Sequence, residues 1–460
     1  MAAAAVEPTE ARFEVFGPSR IDRIAQLAQL PASEVLAMKA VAAVFPFRVN
    51  RYVIDELIDW SAVPDDPMFQ LTFPQRGMLG DDDFARMERL ILDGVPAAEI
   101  ESVARTIRRR LNPHPGGQEY NTPGGSPAQG IQHKYRETVL LFPNQGQTCH
   151  SYCTYCFRWA QFVGPQEQRF GSREPERLAE YVREHPEVRS VLFTGGDPMV
   201  MKTSVIARYV EPLLGIEHVR SIRFGTKALA YWPHRFAQGE DADNLLRLFE
   251  RISAADKHVA LMGHYSLPRE LETPVAQTAL SRCISAGAVV RTQAPVVRHV
   301  NDNVDAWARL WRLQVQLGAV PYYFFVERDT GASRYFDVPL VRALDVFSGA
   351  YQQLSGLGRT VRGPSMSCNP GKVVIDGIAD VAGERVFVLK MLQARDPAWV
   401  RRPFFAAYDA KATWIDDLRP AFGESEFFWE PGLRERLRPA TREPHSERVR
   451  LTTLATADAE

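Results

Sequence analysis

TCHSYCTYCFR, residues 148–158, sets Cys149, Cys153 and Cys156 in the spacing C-x3-C-x2-C, with Tyr155 just before the last cysteine. Iron–sulfur clusters are held by cysteine thiolates, usually four. Three thiolates leave one iron of a four-iron cluster open to a small chelating molecule, which points to a reactive cluster. Two plainer readings compete. Structural zinc takes four ligands, often as two separated pairs, and His150 as fourth ligand would sit awkwardly beside Cys149. Disulfides fit poorly with five cysteines and no apolar signal segment at the start. Cys283 and Cys368 stand alone and read as small buried apolar residues.

From about residue 134, short apolar runs alternate with helical segments. The runs are ETVLLFPN, SVLFTGGDP, SIRFGTKAL, HVALMGHYS, AVVRTQAPVV and AVPYYFFVERD. Such alternation predicts parallel strands joined by crossover helices. Six units predict an α/β fold with a partial (β/α)6 barrel and a site in the loops after the strands. The cysteines follow the first run and GGDP ends the second. Lys227, His264, Gln293 and Arg328 stand after the others.

Upstream, IDRIAQLAQL and SEVLAMKAVAAVF predict helices on either side of Pro31, and DDDFARMERLILDG and AAEIESVARTIRRRL predict two more. Residues 1–11 read as loose, and NPHPGGQEYNTPGGSPAQG as a long loop. We therefore expect an N-terminal helical domain over 1–115, the barrel over 134–335, and a C-terminal segment over 336–460. The 460 residues are 45% hydrophobic and 24% charged, with a formal net charge of -1. Nothing in that balance argues for nucleic acid, and no apolar run is long enough to span a membrane. A cytoplasmic, reducing compartment is the expectation.

CHSYCTYC, followed on the next strand by Thr194-Gly195-Gly196-Asp197-Pro198, resembles the cluster and methionine-binding motifs of the radical S-adenosylmethionine (SAM) superfamily. Within it, FPFRVNRYVIDELIDW, DDPMFQLTFP, CFRWAQFVG, IRFGTKALAYWPHRF, TQAPVVRHVNDN and PYYFF are similar, in that order, to the lysine 2,3-aminomutase family. The resemblance runs from about residue 45 to residue 377.

It implies a [4Fe-4S] cluster on Cys149, Cys153 and Cys156 that cleaves SAM to a 5′-deoxyadenosyl radical. Tyr155 would pack near the adenine, and Thr194, Gly195, Gly196 and Asp197 would contact the cofactor. Asp197 could equally be a turn residue, and Gln293 either a cofactor contact or a polar strand end. The family adds pyridoxal 5′-phosphate (PLP) as a Schiff base on a lysine, which Lys372 in NPGK matches. The family's glycine run is reduced to Gly371, so Lys372 could also be a surface lysine beside a turn. Lys134 matches a family cation for the PLP phosphate. The next family arginine aligns with Thr138, although Arg136 is near, and the fourth-strand histidine aligns with Leu267.

Arg158 matches the arginine that pairs with the substrate α-carboxylate; an ordinary ion pair is its alternative. Where lysine-specific members carry two aspartates, this chain has Arg328 and Ser365. A cation repels an ammonium group, so the expected substrate is an α-amino acid other than L-lysine, and Arg328 suits a carboxylate. Glu327 and Asp329 flank it, and a one-residue slip would restore an acid. The expected reaction moves an amino group from the α- to the β-carbon. The alternative is a PLP-independent radical SAM epimerase or dehydrogenase. An electron donor such as flavodoxin or ferredoxin is the implied partner, and a homo-oligomer the expected assembly.

Overall fold

The computed structural model describes residues 11–113, 121–122, 130–163 and 170–437. The N-terminal stretch read as loose, most of the Pro/Gly-rich loop and the chain beyond residue 437 lie outside these.

Two short strands, β1 (Val15–Phe16) and β2 (Val49–Asn50), pair antiparallel. The other eleven strands form one sheet. They are β3 (Ile131–Tyr135), β4 (Thr138–Leu141), β5 (Ser190–Phe193), β6 (Ser221–Thr226), β7 (His258–His264), β8 (Val289–Val296), β9 (Val320–Val326), β10 (Arg362–Ser367), β11 (Gly371–Val381), β12 (Glu384–Ala394) and β13 (Pro403–Ala407). Chain order is sheet order throughout. β4 to β9 are the six expected barrel strands, parallel to one another, and β3 pairs antiparallel with β4 at the edge. β10 continues the parallel run beside β9, and β11, β12 and β13 follow antiparallel. The sheet curls far enough for β3 to meet β12.

Alternation along the strands separates two faces. Phe224 on β6 meets Phe249 on the helix Glu240–Ala254. Phe324 on β9 packs against Trp307 and Trp311 of the helix Val304–Gln316. Burying each such ring contributes about 1.5–3 kcal/mol, so the helices are bound to the outer face. The residues between these anchors, including Arg223 and Tyr323, turn to the opposite, inner face.

The expected helix over IDRIAQLAQL is replaced by two 3-10 turns, Pro18–Arg23 and Ala25–Gln29. Its buried residues Ile21, Ile24 and Leu27 recur every three positions, which suits three residues per turn. Pro31 holds Leu30 extended (ψ 152°), and the α-helix starts beyond it at Ala32–Val44. The helices Asp81–Leu92 and Ala97–Leu111 form as expected, the first with three aspartates in its first turn. Among the described residues no helix is long and apolar enough to cross a membrane.

Candidate functional site

The cysteine loop leaves the end of β4 and is clamped by the N-terminal segment. Asn50 is wholly buried; its backbone N–H donates to Ser151 Oγ at 3.0 Å, and its amide Nδ2 donates to the Tyr231 carbonyl at 2.8 Å. Tyr152 N–H donates to the Arg48 carbonyl at 2.8 Å and Thr154 N–H to the Leu71 carbonyl at 2.9 Å. Nothing in these residue types announced that role; only their place in FPFRVN and MFQLTF hinted at it.

Cys149, Cys153 and Cys156 are free and partly buried. Burial, reinforced by the other cysteines, pushes the Cys149 thiol well up and that of Cys156 to about 12. Thiols in such a pocket ionise readily only when a cationic centre binds them, and one loop supplies all three, so the donor set fits an iron–sulfur cluster. No group of three or more His, Cys, Asp or Glu among the described residues is spaced for a single metal ion. His150 lies edge-on to the Phe13 ring at 5.5 Å, its pKa lowered to about 3 by burial.

The GGDP turn ends β5 directly behind this loop. Gly195 has φ +143°, and a Cβ there would lie 2.2 Å from Gln147 Nε2; at Gly196 it would lie 2.5 Å from the Thr148 backbone N and O. Both glycines therefore let the turn approach the residues preceding Cys149. Thr194 N–H donates to the Leu141 carbonyl at 2.9 Å, tying the strand ends together. The Asp197 carboxylate accepts from Met199 N–H (2.9 Å), Thr226 Oγ1 (2.7 Å) and Lys227 N–H (2.8 Å). Burial raises its pKa to about 6. Its oxygens are engaged in joining β5 to β6, which matches the turn-residue reading.

A polar network adjoins Cys153. Tyr231 Oη lies 3.3 Å from Cys153 Sγ, and Lys227 Nζ sits 4.6 Å from the Tyr231 ring centroid. Lys227 pairs at 2.5 Å with Glu270, which is fully buried and also accepts from Leu267 N–H at 2.8 Å. Tyr155 is buried with its hydroxyl 3.1 Å from Ser266 Oγ. Gln293 lies on β8 opposite His264 and Tyr323. His264 is kept neutral by burial, its pKa near 3.

Beyond the cysteines stand two arginines. The Arg158 guanidinium lies 4.7 Å from the Phe142 ring and 5.2 Å from Phe157; that of Arg328 lies 5.6 Å from Phe157. Arg158 Nη1 and Arg328 Nε are buried without hydrogen-bond partners. Neither guanidinium pairs with a carboxylate among the described residues, so the ion-pair alternatives do not describe them. Burial, with Arg328 adding to it, lowers the Arg158 pKa to about 10. Glu327 is buried, and burial pushes its pKa well up, which opposes its ionisation beside Arg328. Trp159 Nε1 donates to Thr330 Oγ1 at 3.1 Å, holding the Arg328 loop to the Arg158 segment. Ser365 is fully buried in β10, opposite Phe325 and Val374.

Lys372 begins β11, paired with Ser367 across the turn Cys368–Gly371. It is not a surface lysine. Its Nζ lies 3.9 Å from the Tyr323 ring centroid and 5.3 Å from that of Phe325. Burial, then the charges of Arg362, Arg223 and Lys134, push its pKa well down. A lysine whose ammonium pKa is depressed is a good Schiff-base former, so this position fits PLP. Lys134 on β3 donates to the Cys368 carbonyl, and burial lowers its pKa to about 7. Arg136 lies exposed on the β3–β4 turn, Thr138 is buried in β4, and Leu267 is buried at the end of β7. Sequence reasoning missed Arg223, Arg362, Tyr231 and Glu270; isolated charges and rings on strands carry no spacing signal.

Residues 144–248 match the radical SAM superfamily model. The chain is 30% identical over 397 residues to an Aquifex aeolicus protein named "Putative L-lysine 2,3-aminomutase", covering 86% of this chain and 94% of that one. It is 27% identical over 231 residues to the L-lysine 2,3-aminomutase of Fusobacterium nucleatum, covering 50% of this chain and 51% of the relative. With the Escherichia coli L-lysine 2,3-aminomutase it shares 25% identity over 316 residues, 68% of this chain and 79% of that one.

Proposed function

Since the chain belongs to the lysine 2,3-aminomutase family of the radical SAM superfamily, we propose that it is a PLP-dependent 2,3-aminomutase acting on an acidic α-amino acid. Lys372 carries this reading: an amine against Tyr323 whose pKa is pushed well down by burial and by neighbouring cations. In this reading residues 1–115 clamp the cysteine loop, 134–335 form the barrel, and 336–460 bring in the lysine.

Cys149, Cys153 and Cys156 hold the cluster, with Tyr155 and the Thr194–Asp197 turn around SAM and Gln293 on the facing strand. When bound, the cluster and SAM supply a 5′-deoxyadenosyl radical, and PLP supplies a π-system that spreads the substrate radical. Arg158 orients the α-carboxylate, its planar guanidinium suited to bidentate contact. Arg328, which shares the Phe157 ring with Arg158, receives a second carboxylate. Lys372 would hold PLP through its amine, and in its free form the same Nζ would accept a proton from the substrate ammonium. The packed aromatic wall of Tyr323 and Phe325 keeps water from the radical.

The test is anaerobic reconstitution with iron, sulfide and PLP. The protein should show the visible absorbance of lysine-bound pyridoxal phosphate, and Lys372→Ala should remove it. Incubated with SAM, a reductant and an amino-acid panel, it should isomerise glutamate- or aspartate-type substrates in preference to lysine, read by NMR. SAM cleavage without any PLP band would overturn the proposal and leave a PLP-independent radical SAM enzyme.

A further inference from the structure

The inner face of the barrel carries a second group of cations that the substrate reading does not use. Arg362 on β10 lies 4.2 Å from the Tyr322 ring centroid and 4.3 Å from that of Tyr323. Arg291 on β8 lies 5.0 Å from Tyr322. Arg223 on β6 neighbours Tyr322, Tyr323 and Arg291, and burial lowers its pKa. Arg362 Nη2 and Arg223 Nε are buried without hydrogen-bond partners. None of these arginines forms an ion pair with a carboxylate among the described residues, and no acid appears among the groups acting on Arg223 or Lys372.

Partly buried guanidinium groups gathered without an anion, two of them with a buried N–H left unpaired, are costly. The planes of Arg291 and Arg362 are held by tyrosine rings, which leaves their N–H edges for a ligand. A dianion with several oxygens meets that need, and arginine forks match phosphate geometry. Lys372 shares the Tyr323 ring with Arg362, so a phosphate here lies one short molecule's length from the amine. The residues at the family's phosphate positions are otherwise engaged: Lys134 donates to the Cys368 carbonyl, Thr138 carries no charge, and Arg136 lies on an exposed turn.

We propose that Arg223, Arg291 and Arg362, braced on Tyr322 and Tyr323, form a phosphate-monoester seat on the inner barrel wall beside Lys372. On the aminomutase reading, on which this assignment of the ligand rests, the phosphate is that of PLP.

Cluster-loaded protein is titrated with PLP, with pyridoxal and with inorganic phosphate, following visible absorbance and melting temperature. PLP should bind more tightly than pyridoxal by on the order of 100-fold, as expected for charge-assisted arginine contacts. The double variant Arg291→Met/Arg362→Met should bring that ratio close to one while pyridoxal still attaches to Lys372. It should also lose the melting-temperature rise that inorganic phosphate gives. Arg362→Gln alone, a milder change, should reduce both effects in part. A PLP preference and phosphate stabilisation unchanged in both variants would overturn the seat. Arginine-dependent phosphate stabilisation without attachment of either pyridoxal form would uphold the seat and sink the PLP reading, assigning the phosphate to a substrate.

Discussion

The hydroxyl of Tyr231 lies 3.3 Å from the sulfur of Cys153, and Lys227 braces the tyrosine ring from its face. Toward a thiolate the hydroxyl can only donate, and hydrogen bonds to ligating sulfur stabilise the more electron-rich, reduced cluster. Tyr231→Phe should therefore lower the cluster midpoint potential. A bond worth about 1 kcal/mol corresponds to about 40 mV for one electron. Redox titration followed by electron paramagnetic resonance checks this; an unchanged potential would show that the contact has no electronic consequence.

Gly196 tests the fit between the second-strand turn and the cysteine loop. A methyl group there would meet the Thr148 backbone at 2.5 Å, and backbone cannot rotate aside. Gly196→Ala should displace Cys149, so iron content after reconstitution should fall to a small fraction of that of the parent protein. Full iron loading would refute the tight approach.

Arg328 bears on substrate choice. Its unpaired guanidinium faces Phe157 beside Arg158. Arg328→Gln should weaken binding of a dicarboxylic amino acid by roughly 10- to 100-fold, the loss of one charge-assisted contact. Binding of a monocarboxylic analogue should hardly change. Calorimetric titration of both against the PLP-loaded protein separates the outcomes, and equal losses would point to a structural role.

Asp337 bears on stability. Burial raises its pKa to about 6, against the opposing pull of Arg298. A carboxyl whose folded pKa exceeds its unfolded value binds its proton more tightly when folded, so the fold loses stability as pH rises through that window. Asp337→Asn should raise the melting temperature above pH 6. The advantage should shrink as pH falls from 6 and be gone below about 3, where the native aspartate is protonated in both states. A gain independent of pH would exclude the ionisation as its cause.

Local pattern carried much of this molecule. The six parallel strands were legible because buried β-rich runs alternate with amphipathic helices. The cysteine triad was legible because one loop supplies all its members at short spacing. Lys372 and Arg158 were found by resemblance, while their environments were not: that Lys372 rests on Tyr323 depends on β9, β10 and β11 lying side by side. The segment IDRIAQLAQL misled because an apolar repeat of three fits a helix loosely and a 3-10 turn closely.

By itself the sequence determined the chemistry-bearing loop, the strand–helix alternation and the family, since each is written in contiguous residues or in their order. Only the tertiary structure decided what the isolated residues do. Tyr231 reaches Cys153, Arg328 stands beside Arg158, and Arg223, Arg291 and Arg362 gather around two tyrosines. These partners lie tens of residues apart and meet only when a curled sheet turns alternate side chains onto one inner face. There burial, more than residue type, sets which charges remain and which amine stays neutral.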